Sequence, residues 1–296
     1  MTFRRGVSPI GWVNDDLPSL GAGTTLDTIL SQARAIGFEG IELGHLFPRD
    51  PAVLRPIMER HGLAVIGGWH GMRLLSHDAD AEIAAMMPHL DLLAGVGATV
   101  VVSAEVSNAI HTRRSHPLAD RPRLGEGDWP EFGRRLDRVA AAVADRGLRF
   151  AYHHHLGTVV ETADDLDRLL DATGPGVALT LDTGHACYGG IDPVSVVRAH
   201  FSRIAHVHAK DVRSARHAAL VRSDGSFLDG VARGIFTTPG TGELDFTPFL
   251  KTLDNLGYAG WIVVEGEQDP AIAAPDLYAA QGLATLTGAS VAQSRR

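Results

Sequence analysis

One rhythm constrains this chain more than anything else: segments with helical periodicity stop at a glycine, and a short β-branched run follows each stop. Strand-like runs are expected at residues 6–10, 40–43, 63–66, 99–105, 148–153, 177–182, 204–208 and 261–265. The segments between them carry readable helix starts. Asp50-Pro51 and Asp192-Pro193 each set a capping carboxylate before a proline in the first turn, and Thr162 with Asp165 comes close to a capping box. The stops Gly37, Gly62, Gly147 and Gly257 supply the left-handed residue that ends a helix. Eight alternations predict an α/β fold, a single (β/α)8 TIM barrel over residues 1–296 with its active site at the C-terminal ends of the strands. A doubly wound open sheet would be expected to show a glycine-rich dinucleotide fingerprint after its first strand, and none is written there.

Composition removes several function classes. The formal charge of −8, with no long run of Lys or Arg, argues against a nucleic-acid partner. No stretch reaches the roughly 20 apolar residues that a membrane span needs. A single cysteine, Cys187, excludes an internal disulfide framework, and the start MTFRRGVSPIGW lacks a secretory core, so a cytoplasmic location is expected. A homo-oligomer is compatible with this composition.

Four apolar runs end in histidines or carboxylates: AYHHHLGT (151–158), LTLDTGH (179–185), IAHVHAKD (204–211) and IVVEGEQ (262–268). Alternation along a strand sorts them by face. It turns His153 and His155 inward but not His154, and it turns Asp182, His206, His208, Lys210, Glu265 and Glu267 inward. Placing Val100, Val102 and Ala104 outward would bring Glu105 inward as well. Such a crowd of buried imidazoles and carboxylates is costly to desolvate without a cation or a strong hydrogen-bond network. The mixed nitrogen and oxygen donors suit manganese or cobalt, with zinc as a third option. Two long connections, 106–127 and 212–242, interrupt the rhythm; the first carries His111 and the second carries Arg213 and a helix-like run, SFLDGVARGIF (226–236).

The segments LDTGH, HVHAKD, PGTGELDF (239–246) and VVEGEQDP (263–270) resemble the xylose-isomerase-like family of sugar-phosphate isomerases and epimerases. SPIGWVNDDLP (8–18), GFEGIELGHLFPRD (37–50) and AYHHHLGTVVET (151–162) are similar to the myo-inosose (2-keto-myo-inositol) dehydratases of inositol catabolism. The resemblance implies a divalent metal held by Asp182, His208 and Glu265. At strand five the family's EPHPGT-like stretch reads HHHLGT, so the usual glutamate position falls on His153, with His155 as the fallback. Glutathione is implied as a helper on this ground alone.

The implied reaction is loss of water from a polyol ketone, giving a trihydroxycyclohexanedione. Such chemistry asks for a proton acceptor, a proton donor and polyol-binding groups. Glu265, Glu267 and Glu105 are the candidate bases. His185 and His155 are candidates for the acid or for holding a hydroxyl. Lys210 and Arg213 are expected to orient the substrate; Trp12 would form an apolar wall, and Asn14 and Asp15 either bind the polyol or simply build the turn. The alternatives are a metal-dependent isomerase or epimerase of a keto-sugar or inosose, which shares the proton abstraction, a DNA hydrolase of the same barrel class, and a non-catalytic polyol-binding protein.

Overall fold

A computed structural model describes residues 3–288, so the domain expected over 1–296 extends at both ends beyond the described residues. The strands are β1 (Arg4–Val7), β2 (Gly40–Leu43), β3 (Ala64–Met72), β4 (Val100–Glu105), β5 (Arg149–His153), β6 (Ala178–Asp182), β7 (Ile204–Ala209), β8 (Asp211–Val212), β9 (Phe236–Thr237) and β10 (Trp261–Val264). Eight of them close a parallel barrel in the order β1-β10-β7-β6-β5-β4-β3-β2, and β8 and β9 form a separate antiparallel pair. The helices are α1 (Leu26–Ile36), α2 (Pro51–His61), α3 (Ala79–Gly95), α4 (Trp129–Ala144), α5 (Ala163–Ala172), α6 (Thr183–Tyr188), α7 (Pro193–His200), α8 (Ser214–Arg222), α9 (Phe227–Arg233), α10 (Phe246–Asn255) and α11 (Pro275–Thr287). No helix among the described residues is long and apolar enough to cross a membrane.

Local chemistry explains where these elements begin and end. Asp50 Oδ1 accepts from Ala52 N at 2.8 Å, and Asp192 Oδ1 from Val194 N at 3.1 Å, so each carboxylate satisfies the orphan donor that follows its proline. At α5 the box is reciprocal, with Thr162 N donating to Asp165 Oδ2 at 2.9 Å and Asp165 N to Thr162 Oγ1. Gly37 (φ 108°) and Gly62 (φ 65°) occupy the left-handed region that ends α1 and α2, a conformation any β-carbon would strain.

Two apolar layers follow from the strand faces. Ile41, Phe150, Tyr152, Leu179, Leu181, Val207, Ile262 and Val264 pack outward against the helices, while Ile66, Val100, Ala151, Trp261 and Val263 plug the barrel interior. The interior plug corrects the expected phase of β4. Val100 faces in and Val101 faces out, so Glu105 falls on the outward face rather than in the barrel. The first strand also begins and ends earlier than expected, because Pro9 opens a short 3-10 turn capped by Ser8. In contrast, β3 runs six residues beyond the expected end, through Gly67 and Gly68, and carries Trp69 to the rim.

A third cluster, Leu17, Leu156, Val212, Leu220, Phe227, Leu228, Val231, Ile235 and Phe236, lies over the mouth. It is the cap made by α8, α9 and the β8-β9 pair, inserted after β7 where the sequence rhythm breaks. Asp211 anchors the return of this cap: its carboxylate accepts from the backbone N–H groups of Gly240, Gly242, Glu243 and Leu244 at 2.9–3.0 Å.

Candidate active site

Strand register brings the polar side chains together. Asp182 lies beside His208 across β6 and β7, His208 beside Val263 across β7 and β10, and His153 beside Thr180 across β5 and β6. Asp182 also caps α6, and its two oxygens have different tasks. Oδ1 accepts from Gly184 N and His185 N at 2.8 Å each, which leaves Oδ2 without a hydrogen bond and aimed across the mouth. Around Oδ2 lie His153 Nε2 at 3.6 Å, His208 Nδ1 at 3.6 Å and Lys210 Nζ at 3.5 Å. Glu265 Oε2 approaches His208 Nδ1 to 2.7 Å, yet the pair lacks hydrogen-bond geometry and both atoms count as buried and unsatisfied.

That pattern is the test for a metal. Three buried ligand atoms at this end of the barrel, Asp182 Oδ2, His208 Nδ1 and Glu265 Oε2, make no hydrogen bond, and unsatisfied buried polar atoms are rare in stable proteins. His153, Asp182 and His208 place ligand atoms within 4.8 Å of one another. The residues therefore fit a divalent cation with two imidazole and two carboxylate donors. Burial opposes a charge on His208, but the carboxylates of Glu265 and Glu42 outweigh it and hold its pKa well above the usual range. The site calls for positive charge at this point.

Glu42, on β2, was missing from the expected set. Its Oε1 accepts from His206 Nε2 at 2.8 Å and His208 Nε2 at 3.0 Å, so it fixes the far nitrogen of His208 and turns Nδ1 toward the cage. Glu42, His206 and His208 also form a compact group of ligand atoms of their own, but there the glutamate oxygen is satisfied by both rings. The sequence held the signal: alternation in GIEL puts Ile41 outward and so Glu42 inward.

Above the cage is a pocket of about 120 Å³. Its walls include His111, His153, His155, His185, Lys210, Glu265 and Glu267. Lys210 is fully buried, and its ammonium donates to Glu267 Oε2 at 2.9 Å and lies 3.4 Å from Glu265 Oε1. Burial pushes the Glu267 carboxyl up to about 7, against the pull of Lys210. From the cap, Phe227 approaches His155 (ring centroids 5.0 Å apart) and Phe236 approaches His185 (4.9 Å). The three consecutive histidines divide their work: His153 faces the cage, His155 faces the pocket, and His154 accepts from Asp182 N at 3.4 Å and does not line the pocket.

Several expected site residues are placed elsewhere. Glu105 is spent on backbone, accepting from Leu74 N at 2.6 Å and Ser107 N at 2.7 Å, and it lines no part of the pocket. Trp12 is buried in the outer core, with Nε1 donating to Gln32 Oε1. The aromatic wall is instead Trp69, 42% exposed and set edge-on to His153 at 5.8 Å. Asn14 builds the turn, its Oδ1 accepting from Asp16 N and Leu17 N, whereas Asp15 and the unanticipated Asp16 line the pocket. Arg213 ties the cap together, donating to Gly234 O, Phe236 O, Gln268 Oε1 and Thr237 Oγ1, and does not face the pocket.

Comparison with known proteins gives the family of the chain. The chain is 44% identical over 95% of its length to the rhizopine catabolism protein MocC of Rhizobium meliloti, covering 87% of that protein. It is 40% identical to an inosose dehydratase of Geobacillus thermodenitrificans, covering 93% of each. Among solved structures, the IOLI protein crystallised with a zinc atom shares the fold with a TM-score of 0.71 at 14% identity over 97% of both chains. The model of the xylose isomerase-like TIM barrel family matches residues 30–288, which takes in β2 to β10 and every cage residue. With that match across most of the barrel, the chain belongs to the xylose isomerase-like TIM barrel family.

Proposed function

We propose that this protein dehydrates 2-keto-myo-inositol (inosose) at the pocket above the Asp182, His208 and Glu265 cage. The observation that carries the reading is the 40% identity to an inosose dehydratase over 93% of both chains, together with a cage whose orphaned donors ask for a cation. Two carboxylates and two imidazoles suit manganese or cobalt, and zinc is also acceptable to such a set. A divalent ion held by His153, Asp182, His208 and Glu265 would supply Lewis-acid polarisation of a ketone oxygen.

The chain's own residues supply the rest. Trp69 offers a flat apolar face at the pocket edge, against which the C–H face of a polyol ring can lie. Glu267 reaches into the pocket one inward step beyond Glu265 and is the group we assign to remove the proton next to the ketone. Lys210 holds that carboxylate at 2.9 Å and fixes its orientation. Phe227 and Phe236 cover the site from the cap and keep bulk water from the reacting carbons. We place the reaction in the cytoplasm, in keeping with a lone cysteine that needs no oxidising compartment.

A second reading is action on a rhizopine, favoured by the 44% identity to MocC. Mass analysis separates the two readings and the isomerase alternative. Incubation of the Mn²⁺-loaded protein with inosose is expected to give a product lighter by one water. An unchanged mass with a new isomer would favour epimerisation. No reaction with inosose but turnover of a rhizopine would favour the second reading, and adding glutathione to parallel reactions tests the need for it.

A further inference from the structure

The two pocket histidines are locked in opposite tautomers by one backbone unit. His155 Nδ1 lies 2.7 Å from the carbonyl oxygen of Leu156. A carbonyl can only accept, so Nδ1 of His155 carries the hydrogen, and in the neutral imidazole Nε2 then keeps its lone pair. The amide N–H of the same Leu156 points at His185 Nδ1 at 3.2 Å. An amide can only donate, so Nδ1 of His185 is bare and Nε2 carries the hydrogen. The rings face each other with centroids 3.9 Å apart and planes tilted by 36°.

A second contact makes the same point from the other side. Lys210 Nζ lies 3.1 Å from His185 Nε2. With His185 in this tautomer both groups are donors, so neither satisfies the other, and an oxygen that accepts from both would relieve the contact. The side chain of Leu156 is itself buried in the cap cluster with Phe227 and Phe236, which fixes the backbone that sets both tautomers.

We propose that His155 and His185 form a fixed acceptor and donor pair that reads a ring hydroxyl of the substrate. The hydroxyl donates to His155 Nε2 and its oxygen accepts from His185 Nε2–H, with the Lys210 ammonium as a second donor. An ether or a ketone oxygen cannot donate and leaves His155 Nε2 unpaired in a buried pocket. Sites built to pair a hydroxyl reject analogues that lack it by about 10⁴–10⁵-fold. The assignment also excludes His185 as a base, because its pocket nitrogen has no lone pair to offer.

This inference rests on the inosose reading for its substrate but not for its tautomers, and the test separates the two. Protein labelled with ¹⁵N-histidine and loaded with Zn²⁺ is examined by long-range ¹H–¹⁵N correlation, with His155→Gln and His185→Gln used to assign the signals. The expected result is a protonated Nδ1 on His155 and a protonated Nε2 on His185. The same tautomer on both rings, or a doubly protonated ring at pH 7, overturns the proposal whatever the substrate proves to be.

Kinetics give the second readout. His185→Phe preserves the ring packing and removes the N–H; kcat/KM on the dehydrated substrate is expected to fall at least about 10²-fold with metal content intact, the scale of one lost hydrogen-bond donor in a closed site. His185→Gln, whose amide nitrogen reaches the same place, is expected to recover part of that loss. Unchanged turnover in His185→Phe overturns the proposal. Opposite tautomers in a protein inert towards inosose would overturn the substrate reading and leave the donor and acceptor pair in place.

Discussion

Replacing Glu267 with Gln separates chemistry from metal binding in a single substitution. Glu267 Oε2 accepts from Lys210 Nζ at 2.9 Å, and Lys210 keeps Glu265 at 3.4 Å and Asp182 at 3.5 Å whether or not Glu267 is charged. At an effective dielectric of about 20 each of these three attractions is worth roughly 5 kcal/mol before desolvation, so deleting one leaves about two thirds of the gross attraction on Lys210. Desolvation at Glu267 outweighs its share, since burial pushes its carboxyl up to about 7 against the pull of Lys210. The variant is therefore expected to fold and to bind metal at the unaltered stoichiometry. Turnover is different, because an amide cannot take up the substrate proton. We expect kcat to fall at least about 10²-fold, or about 2.7 kcal/mol of barrier. The assay is steady-state kcat at saturating Mn²⁺ beside metal content by mass spectrometry. Near-normal turnover would reduce Glu267 to a buried ion pair and move the search for the base to Asp16, the other carboxylate on that wall. Loss of metal would make Glu267 a ligand and refute the division of labour between it and Glu265.

Three further predictions address different parts of the account. His153→Ala is expected to weaken metal binding measured by chelator competition, whereas His154→Ala leaves it unchanged, because only His153 faces Asp182 Oδ2; the reverse order would put the register of β5 off by one residue. Trp69→Ala should raise KM more than it lowers kcat and abolish any fluorescence change on substrate binding, since Trp12, Trp129 and Trp261 are all at least 95% buried; a surviving fluorescence response would place the ring elsewhere. Acid sensitivity should include a contribution from His89 on α3, whose pKa is lowered from 6.5 to about 4, chiefly by burial. The unfolded chain takes up that proton first, so stability is expected to fall as pH drops from about 6.5 to 4, by roughly 3 kcal/mol at most; an unaltered pH profile of denaturant midpoints in His89→Phe would refute it.

What the sequence revealed and what it hid have the same physical origin. In β5, β6 and β10 large apolar residues alternate with the site residues, so Phe150, Tyr152, Leu179, Leu181, Ile262 and Val264 mark the outward face and give the phase of His153, Asp182 and Glu265. The run VVVSAE in β4 has no such alternation, because a strand buried on both faces needs apolar residues on both. Its one terminal carboxylate was an unsafe guide, and Glu105 proved to cap backbone on the outside. Trp69 was hidden for another reason. Gly67 and Gly68 read as the end of a strand, yet they continue it, and a β-carbon on Gly67 would come within 2.5 Å of Val100 O. The tautomers of His155 and His185 depend on a backbone unit whose direction no pattern of side chains encodes.

The central claim is that the cage of Asp182, His208 and Glu265, rather than the neighbouring group of Glu42, His206 and His208, is where the metal binds and the chemistry takes place. Anomalous diffraction from crystals soaked in Mn²⁺ tests it most directly. The account predicts one strong peak within coordination distance of Asp182 Oδ2, His208 Nδ1 and Glu265 Oε2, with His153 Nε2 as the fourth protein donor. A peak instead between Glu42 and His206, with the cage atoms left unpaired, would contradict it.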